Sequence, residues 1–362
     1  MTVSIFTHPA FDAHEQVTFC CDARSGLKAI IAIHNSALGP ALGGCRMWPY
    51  ASEAEALTDV LRLSRGMTYK AALAGLSLGG GKSVVIGDPA RDKTPALFRA
   101  LGRFVDALGG RYIVAEDVGI AVEDVDVMAG VTRHVAGAGN GGAGDPAPAT
   151  AYGVYMGLAA AVRHRLARGS LAGLRVAIQG LGHVGGELAQ LLSRQGVELV
   201  VADIHRAAVE RAVRDLGARA VAPEAIYDAE VDVFAPCALG AVVNDDTVAR
   251  LKAKVVAGSA NNQLAEDRHG DALAARGILY APDYAINAGG LIYVSAEAAR
   301  DGRARFERND REAAFARIAG IHDTLMAIFE RAEADGVATS TAADRIAEER
   351  FGKPAEPATA AA

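Results

Sequence analysis

The chain has 362 residues, 51% of them apolar and 22% charged, with a formal net charge of −6. That length exceeds what one ordinary hydrophobic core organises, so two domains are expected. A negative balance without a basic stripe speaks against nucleic acid or an anionic membrane surface as partner, and no run of about 20 apolar residues is present to span a bilayer.

Cys20, Cys21, Cys45 and Cys237 follow neither a metal-ligand spacing nor a disulfide ladder and read as reduced thiols. Thr7, His8 and Pro9 interrupt any basic-then-apolar leader. The expectation is a soluble, cytoplasmic protein. His34, His164, His183, His205 and His322 are scattered without a ligand pair, so no metal is expected.

In chain order, Val17 to Cys21 and Leu27 to Ile33 are apolar runs joined by Asp22-Ala23-Arg24-Ser25-Gly26, which predicts a hairpin. Cys20 and Cys21 then point to opposite faces. Ser52 with Glu55 resembles a capping box, and Ala56, Val60 and Leu63 carry a helix to about Gly66. A glycine-rich stretch, Gly75 to Gly81, leads into a strand from Ser83 to Ile86. Thr94 to Leu108 reads as a helix closed by Gly109-Gly110, and Tyr112 to Ala115 as a strand. Ala136 to Pro148 is rich in Gly, Ala and Pro without periodicity, and is the candidate hinge for closing a cleft.

From Thr150 the pattern turns regular. A helix to about Arg168 precedes an apolar strand, Arg175 to Gln179. Further strands are predicted at Leu199 to Ala202, Val231 to Ala235, Val255 to Ala257 and Ile278 to Ala281, with a weaker one at Arg219 to Ala222. Helical segments such as Gly186 to Arg194 and Arg206 to Leu216 separate them. Strands buried on both faces and alternating with helices make a parallel, doubly wound sheet. Beyond Asn287-Ala288-Gly289-Gly290, Asn309 is placed to cap a long helix carrying Phe315, Ile318, His322, Leu325 and Phe329, and a last helix covers about Ser340 to Phe351.

The turn Gly180-Leu181-Gly182-His183-Val184-Gly185-Gly186 follows the first strand of this regular half and opens a helix. In that context G-x-G-x-x-G is a dinucleotide signature: Gly180 for the turn, Gly182 for backbone approach to the diphosphate, Gly185 for helix–sheet packing. Asp203 ends the next strand, where it would accept hydrogen bonds from ribose hydroxyls and repel a 2′-phosphate. That favours NAD over NADP, with Arg206 nearby to soften the preference. The expected class is therefore α/β. It comprises a mixed α/β substrate and oligomerisation domain over 1–145 and a Rossmann-type doubly wound NAD-binding domain over 146–290. Helices over 291–352 return to complete the first domain, and 353–362 form a disordered tail.

Lysines are ordinarily solvated surface cations, yet Lys70 in Met67-Thr68-Tyr69-Lys70 and Lys82 after Gly79-Gly80-Gly81 stand in apolar or glycine-rich stretches. Two ammonium groups facing one cleft would favour a neutral amine. Asp117, in Glu116-Asp117-Val118-Gly119, adds a carboxylate at a strand end. The segments Leu38 to Arg46, Lys70 to Lys82, Ala115 to Gly119, Ala235 to Ala238, Gly258 to Asn262 and Pro282 to Gly290 resemble the Glu/Leu/Phe/Val dehydrogenase family, from about Phe11 to Arg350.

That resemblance implies reversible oxidative deamination of an L-amino acid to its 2-oxo acid and ammonia. It implies that Lys70 binds the substrate α-carboxylate, that Lys82 activates water and polarises the developing imine, and that Asp117 shuttles protons. Asn261 would orient the substrate, and Thr150, Ala238 and Asn287 would line the coenzyme. A homo-oligomer is also implied, with an octamer as one form. Glutamate enzymes of the family place a lysine where Leu42 stands here, and a hydroxyl-bearing residue at Val294. Leu42, Gly43, Ala115, Leu291 and Val294 suggest an apolar pocket for leucine, valine or isoleucine, although all five would also serve as core. Leu291 departs from the usual valine, and a methylene there shifts discrimination by only about 1–3 kcal/mol. Phenylalanine is the alternative substrate, since enzymes acting on it share Gly79-Gly80-Gly81-Lys82. A non-catalytic NAD(H) sensor would lack a lysine or the carboxylate, and a 2-hydroxy-acid oxidoreductase would want a histidine base beside an arginine.

Overall fold

A computed structural model describes residues 5–139, 144–298 and 308–352, and the chain divides into two units. The first holds 1–145, 294–311 and 347–362; the second holds 146–293 and 312–346.

In the first unit the expected hairpin forms: β1 (Gln16–Asp22) pairs antiparallel with β2 (Leu27–Asn35), with Cys20 buried and Cys21 exposed. β3 (Ala41–Trp48), which the pattern did not predict, precedes α1 (Glu53–Leu73). Ser52 caps α1 by accepting the Glu55 N–H at 3.1 Å. β4 (Gly79–Ile86), α2 (Pro95–Ala107), β5 (Tyr112–Glu116) and α3 (Val122–Ala129) follow. The sheet order is β1-β2-β4-β3-β5, antiparallel at β1-β2-β4 and parallel from β4 through β3 to β5. Ile31, Ile33, Cys45, Met47 and Tyr112 pack on one face with Leu97, Leu101 and Val125 of α2 and α3. Ile30, Ala32 and Val84 pack on the other with Ala56, Leu57, Val60 and Leu61 of α1.

Two boundaries differ from expectation. α1 runs past Gly66 to Leu73 because Thr68, Tyr69, Ala71 and Ala72 are buried, and that packing outweighs the roughly 1 kcal/mol a helical glycine costs. Gly79, Gly80 and Gly81 belong to β4, where it is the protein's own chain that comes close: a Cβ at Gly80 would lie 2.0 Å from the backbone nitrogen of Thr68.

The second unit opens with α4 (Ala147–Leu166) and β6 (Arg175–Gln179). α5 (His183–Arg194), β7 (Glu198–Ala202), α6 (Arg206–Leu216) and β8 (Arg219–Ala220) continue it. After a 3-10 turn at Pro223–Asp228 come β9 (Val233–Pro236), α7 (Asp245–Arg250), β10 (Val255–Val256), α8 (Arg268–Ala275) and β11 (Leu279–Tyr280). The strands are all parallel in the order β11-β10-β9-β6-β7-β8, so the winding reverses between β6 and β9, where such sheets place ligands. α9 (Asp283–Ile286) and α10 (Gly289–Ala298) follow.

The expected long helix is broken at Gly320 into α11 (Arg308–Ala319) and α12 (Ile321–Asp335), with Asn309 inside α11 rather than capping it. α13 (Thr339–Phe351) ends the described chain; the tail expected over 353–362 lies outside the described residues, as do 140–143 of the candidate hinge. The assignment of 291–352 to the first domain needs correction: 312–346 belong to the second unit. The cause is α4, whose Gly157 lets Leu325 of α12 approach; a Cβ at Gly157 would sit 2.6 Å from Leu325 Cδ1.

From 347 onward α13 lies in the first unit. Tyr69 Oη donates to Glu348 Oε1 at 2.7 Å, and Arg350 Nη1 donates to the Ala72 and Leu73 carbonyls at 2.8 Å each. A cation on those carbonyls suits the negative end of α1.

Buried under α1, His34 Nδ1 lies 2.8 Å from Thr68 Oγ1. Burial, joined by the neighbouring His14, pushes the His34 imidazole down to about 4 from 6.5. An unfolded chain takes up this proton near pH 6.5 and the folded chain does not, so stability is full above that pH and falls as the pH drops. For His34 the loss by pH 4 is about 3 kcal/mol. Melts at stepped pH should decline more steeply toward acid for wild type than for His34→Asn; equal slopes would contradict this.

Candidate active site

The period-two alternation of the first sheet sorts its residues. Ala41, Cys45, Met47, Tyr112 and Val114 point into the core with α2 and α3, which leaves Leu42, Arg46 and Ala115 on the α1 face. Lys82 shares that face with Val84. Lys70 lies in the last turn of α1. The α1 face therefore gathers Lys70, Lys82, Leu42 and Ala115, while Gly43 alternates to the opposite face of β3.

Asp117 directly follows β5, and Gly44 on the adjacent β3 makes room for it: a Cβ at Gly44 would stand 2.6 Å from Asp117 Cβ. In that space Asp117 Oδ2 lies 2.5 Å from Lys82 Nζ. Lys82 is only 5% exposed. The immediate neighbour of Lys82 is thus a carboxylate, where the sequence suggested a second ammonium. Burial pushes the Asp117 carboxyl up, but the Lys82 ammonium and then the Arg46 guanidinium outweigh it and hold the group below its ordinary range. Asp117 stands as a carboxylate.

Arg46 was overlooked as a functional residue. Its signal was a cation set between Cys45 and Met47 in an otherwise apolar strand. Its Nε lies 3.4 Å from Asp117 Oδ2, and its Nη1 lies 3.0 Å from Asp59 Oδ2 on α1.

Leu42, Ala115, Leu291 and Val294 are all buried. Leu42 pairs with Gly80 and with Ile113. Val294 Cγ1 lies 3.5 Å from where a Cβ on Gly137 would stand. Leu291 falls in the second unit.

In the second unit the glycine turn has the form its sequence suggests. Gly180 has φ +95°, and a Cβ there would meet Ala238 Cβ at 2.7 Å. A Cβ at Gly185 would meet the Gly180 carbonyl oxygen at 2.1 Å, whereas at Gly182 it would meet nothing within 4 Å. The N-terminus of α5 is therefore open at Gly182, with room for a diphosphate against its free N–H groups. Asp203 accepts the Leu181 N–H at 2.6 Å and the His205 N–H at 2.7 Å, so it also shapes the turn. Arg206 is paired with Glu210 at 2.7 Å and both are well exposed.

Asn287 Nδ2 donates to Asn261 Oδ1 at 2.9 Å and to the Ser259 carbonyl at 3.1 Å. Asn287 Oδ1 is buried with no hydrogen-bond partner. A buried acceptor left unmatched fits an amide N–H such as a nicotinamide carries. Thr150, in the first turn of α4, donates its hydroxyl to the Pro146 carbonyl at 3.1 Å. Among the described residues no three His, Cys, Asp or Glu side chains gather in a metal-holding group. No described helix is long and apolar enough to cross a membrane.

A Rossmann-type unit, joined in one chain to a unit holding a buried lysine–carboxylate pair, is the build of a nicotinamide-dependent oxidoreductase. Residues 14–134 match the family described as Glu/Leu/Phe/Val dehydrogenase, dimerisation domain, and 141–212 and 202–354 match Glutamate/Leucine/Phenylalanine/Valine dehydrogenase. The chain is 54% identical over 351 residues to a leucine dehydrogenase of Thermoactinomyces intermedius, covering 96% of this chain and 94% of that one. A leucine dehydrogenase of Bacillus cereus is 53% identical over 353 residues, covering 97% and 94%. The crystal structure of L-tryptophan dehydrogenase from Nostoc punctiforme superposes with a TM-score of 0.81 at 48% identity, over 94% of this chain and 96% of that one. The chain belongs to the Glu/Leu/Phe/Val dehydrogenase family. It is an amino-acid dehydrogenase, and its family uses a nicotinamide cofactor.

Proposed function

We propose that the chain is an NAD-dependent dehydrogenase of branched aliphatic L-amino acids, leucine above valine and isoleucine, forming the 2-oxo acid and ammonia reversibly. The observation that carries the chemistry is the buried Lys82–Asp117 pair at 2.5 Å. Lys70 binds the substrate α-carboxylate. Lys82 polarises the developing imine and activates the attacking water. Asp117 moves protons between the amino nitrogen and the oxygen that replaces it. Asn261, held by Asn287, orients the substrate. When bound, NAD supplies the acceptor for the hydride leaving Cα.

For the cofactor, Gly180, Leu181, Gly182, His183, Val184, Gly185 and Gly186 cradle the diphosphate, with Ala238 against the turn. Thr150 and Asn287 hold the nicotinamide end. Asp203 takes ribose hydroxyls and repels a 2′-phosphate, and the Arg206–Glu210 pair leaves less free positive charge to attract one. Leu42, Gly43, Ala115, Leu291 and Val294 are assigned to the substrate side chain. With no cation at Leu42, burying a γ-carboxylate carries an uncompensated desolvation cost, which disfavours glutamate. The names of the relatives at 53–54% identity support leucine. We further infer a cytoplasmic homo-oligomer, the size of which light scattering reads directly.

The test is initial-rate reduction of NAD and of NADP with leucine, valine, isoleucine, phenylalanine, tryptophan and glutamate. Leucine with NAD is expected to give the highest kcat/KM. A phenylalanine preference would overturn the pocket assignment, and a rate with no 2-oxo acid formed would overturn the reaction.

A further inference from the structure

We propose that Arg46 is a positioning residue for the reaction: acting through Asp117, it keeps the proton-carrying carboxylate ionised and in place while Lys82 turns to the substrate. This rests on the roles given above to Lys82 and Asp117.

Arg46 sits between two carboxylates, with Nη1 3.0 Å from Asp59 Oδ2 and Nε 3.4 Å from Asp117 Oδ2. Tyr50 Oη donates to the same Asp59 oxygen at 2.6 Å, which fixes the far side of the guanidinium. Arg46 Nε and Asp117 Oδ2 are both buried, and Arg46 Nε has no hydrogen-bond partner. An unspent N–H therefore faces a carboxylate oxygen that Lys82 already holds at 2.5 Å. Both cations, Lys82 and Arg46, address that one oxygen.

The chemistry asks Lys82 for two things at once, to hold Asp117 and to act on water and imine. One ammonium cannot serve both fully. A buried carboxylate deserted by its cation takes up a proton instead, and Asp117 would then be spent as a base. Arg46 removes the conflict. It always carries its charge, and its Nε–H needs to close only a few tenths of an ångström onto Oδ2 to become a normal hydrogen bond.

Three further titratable side chains among the described residues near Asp117 supply no cation. Cys45 of β3 is pushed up to about 12 by burial. Tyr112 of β5 and Tyr50 after β3 are raised by burial as well, so all three are neutral. Arg46 touches no substrate in this scheme; its effect passes through Asp117.

The test compares kcat and KM across pH 6–11 for the full chain and for Arg46→Gln, Arg46→Lys, Asp59→Asn and Asp117→Asn. In Arg46→Gln the acid limb of kcat is expected to move up by about one pH unit or more, so kcat at the wild-type midpoint falls about fivefold or more while KM for NAD stays within twofold. Arg46→Lys should recover part of that shift. An unmoved limb, or a loss confined to KM, overturns the proposal. Should Arg46→Gln not fold, Asp59→Asn carries the test: with the guanidinium no longer shared, the limb is expected to move down, and an unmoved limb overturns the proposal equally. Asp117→Asn separates the two ideas. If it turns over like wild type, the role of Asp117 itself fails; if it is inactive while Arg46→Gln keeps the wild-type profile, only the Arg46 inference fails.

Discussion

Lys82→Ala is expected to lower kcat on the order of a thousandfold while NADH still binds. Lys82 is 5% exposed and lies in the middle of β4. Losing it removes the group assigned to water activation and imine polarisation. It also leaves Asp117 with Arg46, at 3.4 Å, as its remaining cation. A buried charge stripped of its partner destabilises by about 3–5 kcal/mol, and that figure is an upper bound here because Arg46 stays and Asp117 is 18% exposed. The fold should survive. Fluorescence titration with NADH, beside initial rates, separates lost chemistry from lost structure. Turnover above about a hundredth of wild type would remove Lys82 from its assigned role.

Gly43→Ala should damage the first unit more than any pocket argument suggests. A Cβ at Gly43 would stand 1.7 Å from the Gly81 carbonyl oxygen and 2.7 Å from the Gly81 carbonyl carbon. Both are backbone, so no side chain can swing away. The β3–β4 pairing runs from Leu42↔Gly80 to Cys45↔Ser83 without Gly43 and Gly44, which marks where the two strands press together. Tyr112 Oη donates to the Gly43 carbonyl at 2.8 Å and fixes it from below. Parting two central strands should cost about 3 kcal/mol or more, which lowers Tm by about 10 °C. Thermal melting followed by circular dichroism checks this. A wild-type Tm would show that β3 and β4 can separate at this point at little cost.

Much of the second unit was legible because its order is local. Apart from β8, each strand from β6 to β11 is a short, largely apolar run between helices, and Gly180 and Asp203 have meaning through their immediate neighbours. The first unit was harder. β3 went unread because Gly43 and Gly44 depress strand propensity, and the reasons for them, the Gly81 carbonyl and Asp117, lie far away in the chain. Gly66 looked like a helix end, yet α1 continues because its later residues are buried. The C-terminal helices showed their apolar stripe but not which surface it meets, since the small residues of α4 that receive it have no periodic signature of their own. At the site, Lys82 and Asp117 stand out by their settings, a glycine run and a strand end, and the resemblance gives them roles. Arg46 does not, because a half-buried guanidinium is defined by partners on two other segments.

The clasp at the end of α1 sets an order of events during synthesis. Tyr69, Ala72 and Leu73 are held by Glu348 and Arg350, which leave the ribosome only after all of the second unit has been made. The unit begun first is therefore closed last. Until then the helix turn bearing Lys70 lacks its final hydrogen bonds, so a nascent chain can assemble its second unit before the first is finished around Lys70.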